Sequence, residues 1–351
     1  MKVNILELVK KAENGVPEAM SMLGEAYRFG NNIAADNFQA VMWWRRAAEG
    51  GVARAMNYLA MALAYGLGTP LDYEEAFKWW SKAAGEGMPE AMINVGICLD
   101  RGMGVERDPA KALFWWLKAA EKGSAYAMSL VGNAYSKGIG VEPCKEEAAR
   151  WWAWAAEKGA GEAMFSLGVS CLHGEGSERD VGRAVHWLGK AAQRGVTQAW
   201  FQLGVAYLVN EPETMDVSKA IDCWLRSAGH GHGEPVQNLR HFGLRDILAR
   251  EVARWKTKVL EGAPDEQFAL GLAYFHGFGG VRADRTTAAK WWGRAADQGQ
   301  AEAAFLLGAA LVAGDGVPRD LKTGFDYLVQ ASVGGIAMAN SHISKISEGT
   351  A

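Results

Sequence analysis

The feature that most constrains this chain is a periodicity. Gly15, Gly51, Gly87, Gly123, Gly159, Gly195 and Gly231 recur every 36 residues, and the frame resumes at Gly262, Gly299 and Gly335. Inside each block the same residue types stand at fixed distances from that glycine. Ala follows after four residues, as Ala19, Ala55, Ala91, Ala127, Ala163 and Ala199. A small residue follows after nine, as Gly24, Ala60, Gly96, Gly132, Gly168 and Gly204. A Trp pair comes later, as Trp43-Trp44, Trp79-Trp80, Trp115-Trp116, Trp151-Trp152 and Trp291-Trp292, and Ala-Ala closes the block. A period of this length marks one supersecondary unit that buries its apolar face only against copies of itself. The composition agrees: 43 Gly and 15 Trp beside 9 Pro in 351 residues mean many turns and many alike packing sites.

Each recurring position has a physical job. Met20, Leu23, Ala26 and Tyr27 fall at helical spacing and mark a first helix with one buried face. A glycine inside that helix costs about 1 kcal/mol relative to Ala, so its recurrence predicts compensation by the close approach of a neighbouring helix. Gly30, Gly66, Gly102, Gly138, Gly174, Gly277 and Gly314 supply a left-handed end to the first helix. A second glycine, at Gly68, Gly104, Gly140 and Gly176, turns the chain. Asp36, Asp72, Asp108, Asp180, Asp216 and Asp320 are placed to accept the orphan N–H groups that open a second helix. Pro109, directly after Asp108, suits a first helical position. Arg46, Lys82, Lys118, Lys190, Arg226 and Arg294 complement the dipole in the last turn of that helix. Every block therefore reads helix–turn–helix.

Composition narrows the function. With 37 Lys+Arg against 40 Asp+Glu the net charge is -3, too small and of the wrong sign for a bulk nucleic-acid binder. Hydrophobic residues at 49% exclude a disordered chain. Met1 to Leu8 has no apolar core of a secretory signal, and no run of apolar residues is long enough to span a membrane. Cys98, Cys144, Cys171 and Cys223 form no C-x-x-C pair, so four free thiols in a reducing cytoplasm are expected.

Over residues 159–195 the pattern G-x-x-E-A-M-x-x-L-G, then G-x-G, Asp180, Ala184, Trp187 and Ala191-Ala192, resembles the Sel1-like repeat. The resemblance covers nearly the whole chain. It implies an all-α fold, a right-handed α/α superhelical solenoid related in shape to tetratricopeptide arrays. Members of that family act as adaptors and scaffolds for protein complexes, in signalling, envelope assembly, protein quality control and host interaction. Some bacterial members resemble neutralisers of toxic effectors.

The expected organisation is one array over 1–351, with about nine helix pairs of about 36 residues. Residues 1–14 form an N-terminal cap, 15–230 six regular repeats, 231–261 a degenerate repeat, 262–334 two regular repeats and 335–351 a C-terminal cap. Asn340, Ser341, His342 and Ser344 give the closing helix a polar face. Stacked pairs would present a concave face of first helices and a convex face of second helices.

Candidate binding residues are the departures from the frame, since frame-keeping residues are explained by packing. Two rows on the first helices vary. One runs Glu25, Met61, Ile97, Asn133, Val169, Val205, His241, Leu272 and Ala309; the other runs Arg28, Ala64, Asp100, Ser136, Leu172, Leu208, Leu244, Phe275 and Val312. Both turn apolar after about residue 165. If they face a groove, they give it a floor suited to a partner helix or loop; burial between repeats is the alternative. Replacing Leu172 and Phe275 by Asp then removes binding and leaves the fold. Arg101, Lys137, His173 and His276 would form a polar rim, or simply solvated helix ends. Trp154 stands where other blocks carry Lys or Arg, as an interface anchor or as packing against the next repeat.

Residues 231–261 break the rules: no G-x-G turn, five residues short, and Pro235 in place of Ala. Arg250, Arg254 and Lys258 form one basic helical stripe, a docking patch for an acidic partner or a solvated face beside a bend. Trp255 matches the second Trp of the pair, so that helix is expected to survive.

His230 and His232 lack a further ligand at metal spacing, and Gly229, Gly231 and Gly233 do not follow a strand as a dinucleotide loop requires. Neither G-x-S-x-G nor H-E-x-x-H occurs. Glu74-Glu75 and Glu146-Glu147 fall in first turns of helices, where they suit the dipole. No catalytic, cofactor or metal constellation is expected. The reading is a cytoplasmic, monomeric, non-enzymatic scaffold that grips one protein in its groove or along an edge. A toxin neutraliser is the narrower alternative, and a hydrolase acting on cell-wall or antibiotic-like substrates is the alternative from another class.

Overall fold

The computed structural model describes residues 5–209, 216–229 and 245–348; within these, every regular element is helical. Helix α1 (Ile5–Glu13) precedes six pairs: α2 (Pro17–Phe29) with α3 (Asn37–Glu49), α4 (Ala53–Tyr65) with α5 (Tyr73–Gly85), α6 (Pro89–Arg101) with α7 (Pro109–Glu121), α8 (Ala125–Lys137) with α9 (Lys145–Glu157), α10 (Gly161–His173) with α11 (Val181–Gln193), and α12 (Gln198–Leu208) with α13 (Val217–Gly229). Helix α14 (Arg245–Lys258) follows, closed by a 3-10 turn, Val259–Glu261. Two more pairs are α15 (Pro264–His276) with α16 (Arg285–Ala296) and α17 (Ala301–Ala313) with α18 (Leu321–Val333), and α19 (Met338–Ser347) ends the described chain. The expected all-α solenoid is the fold observed.

The mid-helix glycine finds its compensation inside its own pair. A Cβ added to Gly24 would stand 2.5 Å from Trp44 Cδ1, and Gly132 with Trp152 and Gly271 with Trp292 repeat that 2.5 Å approach. Gly96 with Trp116 and Gly204 with Trp224 show the same overlap. The second Trp of these pairs thus presses its Cδ1–Nε1 edge onto the first helix, where a missing side chain makes room. Emptying such a site by Trp→Ala typically costs about 3–5 kcal/mol, which outweighs the propensity lost at the glycine. Where the frame has Ala60, Trp80 donates its Nε1–H to Asn57 Oδ1 at 3.0 Å.

A second contact joins successive repeats. A Cβ at Gly104 would strike the Tyr73 carbonyl, and one at Gly68, Gly140, Gly176 or Gly316 would strike the backbone of Asn37, Pro109, Lys145 or Arg285. The turn glycine therefore does more than reverse the chain: it seats on the first residue of the preceding second helix. Caps fix where those helices start. Asp36, Asp72, Asp108, Asp180, Asp216, Asp284 and Asp320 each accept the backbone N–H three residues on, at 2.8–3.0 Å. Cys144 holds that place before α9 and makes no side-chain cap bond. The first-helix glycines sit left-handed as expected, with Gly66 at φ 64 and Gly138 at φ 74 bracketing the set.

Contacts divide the chain into two compact units: 1–170 with 174–178, and 171–173 with 179–351. In the first, α1 packs its Leu8 and Ala12 on Ala19 and Leu23 of α2. Arg45 of α3 and Glu75 of α5 bridge neighbouring second helices through a bidentate pair at 2.5 and 3.2 Å. In the second, one core runs from Ile221 and Trp224 through Leu248, Trp255 and Phe268 to Trp292, Leu307 and Leu328. Trp255 is buried there, as its place in the frame predicts. Helix α19 buries Ala339 and leaves its polar residues outward; the His342 ring stands edge-on to Phe305 at 5.5 Å.

Candidate protein-binding surface

Of the two readings of the first-helix rows, burial between repeats holds at several positions. Leu172 is only 2% exposed, and Ala64 and Leu272 are buried with it. Leu172 is therefore corrected to a core residue. Leu208 and Phe275 are half-buried against the core of the second unit. Phe275 is also hemmed in by the Trp292 ring at 5.2 Å, His276 at 4.9 Å and the Arg285 guanidinium at 5.1 Å. His241 and Leu244 lie outside the described residues, as do His230, His232 and Pro235.

The polar candidates are spread over separate helix ends. Arg28 donates from Nη1 to Asn37 Oδ1 at 3.3 Å and stacks on Phe29, joining its pair and not a shared rim. Asp100 is half-buried and faces Arg107 at 3.7 Å. Arg101, Lys137 and His173 are exposed at the ends of α6, α8 and α10.

The basic stripe of α14 lies in a charged cleft. Arg254 and Lys258 line a cavity of about 220 Å³ with Asp222, Arg226, Asp265 and Glu266. Arg254 pairs with Glu251 at 2.6 Å and Lys258 with Glu266 at 3.0 Å, so two of the three stripe cations already have carboxylates. Arg250 is exposed. Burial pushes the Asp222 carboxyl above its ordinary value, against the pull of Arg254 and Arg226. Two of the three stripe residues thus belong to a mixed-charge cleft, which corrects the reading of a free basic patch for an acidic partner.

The solvent side of the second helices carries a pattern that the dipole argument missed. Five of the six last-turn cations lie over the Trp three residues before them: Arg46 on Trp43 at 5.1 Å, Lys82 on Trp79 at 4.2 Å, Lys118 on Trp115 at 5.3 Å, Lys190 on Trp187 at 5.0 Å and Arg294 on Trp291 at 4.7 Å. The spacing W-x-x-[KR] was visible in the sequence; what it needed was a cation–π reading. Trp154 takes the cation's place in α9. It is 49% exposed and stands edge-on to Trp151 at 4.9 Å. On α7, Phe114 is 50% exposed and shares Lys118, whose Nζ sits 4.5 Å from its ring.

Among the described residues no group of three or more His, Cys, Asp or Glu side chains is placed to hold a metal ion, and no helix is long and apolar enough to cross a membrane. The four cysteines are unpaired. Burial pushes the Cys98 thiol up to about 11 and Cys223 up to about 12, the opposite of what a nucleophilic thiol needs.

Glycine–tryptophan locked helix pairs, joined by turn glycines, define an α/α repeat protein. The Sel1 repeat family matches residues 17–52, 53–88, 89–124, 125–159, 161–196, 267–300 and 301–332, and the chain belongs to that family. Sel1 repeat proteins mediate protein–protein interaction. Among solved structures, a Sel1 repeat protein from Oxalobacter formigenes is 26% identical, over 64% of this chain and 96% of that one, with a TM-score of 0.57. The protective antigen c5321 of uropathogenic Escherichia coli, which displays an SLR fold, is 26% identical over 99% of this chain and 91% of that one, with a TM-score of 0.49. The immunity protein Pa5087 from Pseudomonas aeruginosa is 20% identical over 72% and 82%, with a TM-score of 0.37. A comparison with curated proteins gave no match.

Proposed function

We propose that this chain is a non-enzymatic scaffold that binds a protein partner through the exposed side chains of its helix pairs. The observation that carries the reading is the division of labour within each repeat. Gly24, Trp44, Asp36 and their counterparts are spent on packing and caps, which leaves aromatics such as Trp154 and Phe114 exposed on a rigid frame. Aromatic anchors on rigid elements bind with little ordering entropy, and Trp is over-represented among residues that dominate interfaces. The family's interaction role points the same way. Neutralising a cognate toxin is a narrower form of this role, and its signature is a tight one-to-one complex with a single enzyme.

The test is affinity capture from the native source, identification by mass spectrometry, and reconstitution with the purified partner by calorimetry. A saturable complex of defined stoichiometry is expected. Failure of every captured protein to rebind in purified form, or turnover of a small-molecule substrate by the clean chain, overturns the proposal.

A further inference from the structure

The last-turn cations of the first unit differ from the other basic residues on the same helices. Lys78 pairs with Glu74 at 2.7 Å, Lys111 with Asp108 at 2.8 Å and Arg150 with Glu147 at 2.6 Å. Arg46, Lys82 and Lys118 form no ion pair among the described residues, and each is steadied by a Trp face instead. The positions that share this solvent side are Met42, Trp43 and Arg46, then Lys78, Trp79 and Lys82, then Phe114, Trp115 and Lys118, then Arg150, Trp151 and Trp154. None of these is a carboxylate; Glu75, one turn before Trp79, accepts from its Nε1–H at 3.2 Å and is neutralised by Arg45. Where the fourth cation would stand, Trp154 offers an exposed ring, with Phe114 exposed one repeat earlier.

We infer that this side of the first unit docks an acidic segment of the partner protein, its carboxylates pairing with Arg46, Lys82 and Lys118 and an apolar side chain seating on Trp154. The inference rests on the scaffold reading above and names the chemistry of its partner. A cation held over a ring keeps its N–H donors free while losing much of its rotamer freedom, so an incoming carboxylate meets a preordered donor. Regular spacing by one repeat sets several such donors along one direction. Glu49, Glu121 and Glu157, one turn further along α3, α7 and α9, disfavour a continuous phosphodiester chain but leave room for discrete side-chain carboxylates.

The experiment selects a randomised 12-residue peptide display library against the full chain, then measures labelled synthetic binders by fluorescence anisotropy. Peptides rich in Asp and Glu around one apolar residue are expected, with affinity falling as salt rises. The double variant K82Q and K118Q should weaken them at least tenfold, and K82R with K118R should restore binding. Trp154→Lys, which returns the residue type used by neighbouring repeats and so keeps the fold, should also weaken them. Circular dichroism melts establish that each variant is folded.

Recovery of no acidic peptides, binding unchanged in the folded variants, or equal competition by an oligo-dT strand overturns the inference. A reconstituted protein partner that ignores all these substitutions would also overturn it while leaving the scaffold reading intact. If instead no protein partner reconstitutes at all, it is the scaffold reading that falls.

Discussion

The pairs before residue 197 and the stretch from α12 to α14 follow one frame with different residues. The family match lapses between 196 and 267, yet both contacts that define a repeat continue there. Gly204 still seats Trp224, and Gly279 still seats on α14, where a Cβ would lie 2.8 Å from the Leu248 carbonyl. In regular repeats the turn glycine touches the residue seven before the buried Trp, as Tyr73 stands before Trp80. Leu248 stands seven before Trp255, so α14 is an in-register second helix with one added turn at its start.

What changes is the solvent side. The first Trp becomes Cys223 in α13, and a ring appears on the first helix as Trp200, half-buried with Arg226 at 5.3 Å over its face. In α14 Arg254 stands where the first Trp would be. A repeat is therefore defined by two steric contacts, and the consensus around them is free to move.

The largest test contrasts two residues of one row. Leu172→Asp places a carboxylate at a buried position and should cost about 4 kcal/mol or more, whereas half-buried Leu208→Asp should cost less than half as much; urea unfolding monitored at 222 nm compares them. Equal losses would mean that the row is equally enclosed in both regions. Next, Gly132→Val and Gly204→Val force a branched side chain onto Trp152 and Trp224, and each should cost about 1–3 kcal/mol. A mild Gly204 variant would show that the lock has loosened where the family match stops.

Smaller again is the relocated ring. Starting from the native chain, Trp200→Met and Cys223→Trp should each destabilise, and the double variant should recover about 0.5–1 kcal/mol of coupling as Arg226 finds a ring on its own helix. Additive losses in a double-mutant cycle would deny the exchange. The smallest effect concerns Arg45 and Glu75. The Arg45 hydrogen bond holds the Glu75 carboxyl below its ordinary value. The stabilisation is complete above the ordinary glutamate range and is lost as pH falls through the lowered folded value. Partial exposure limits it to under about 1 kcal/mol. Arg45→Gln should lower the melting temperature slightly at pH 7 and leave it unchanged at pH 2.

The frame was legible because its chemistry is local and repeated. Counting from the lead glycine found six of the capping aspartates but missed Asp284, since that repeat is one residue longer before its cap. Counting back eight from the buried Trp finds it, as Asp36 stands before Trp44. The buried Trp is the better ruler because it is pinned by packing, while loop lengths vary. The solvent side was less legible. Leu172 and Leu208 share a row and a residue type but differ in burial, and only the neighbouring helices decide that. Lys258 read as free because Glu266, which neutralises it, comes from the next helix, whereas Glu251, the partner of Arg254, stood three residues before it in the sequence.

Part of the joint between repeats is a glycine resting on a main-chain carbonyl, and that part asks little of the side chain of the residue it meets, which is Asn37, Tyr73, Pro109, Lys145 or Arg285. Residue identity at the start of a second helix is accordingly open to change without disturbing that contact. What those helix starts display to solvent can then vary while the main-chain contact beneath them persists.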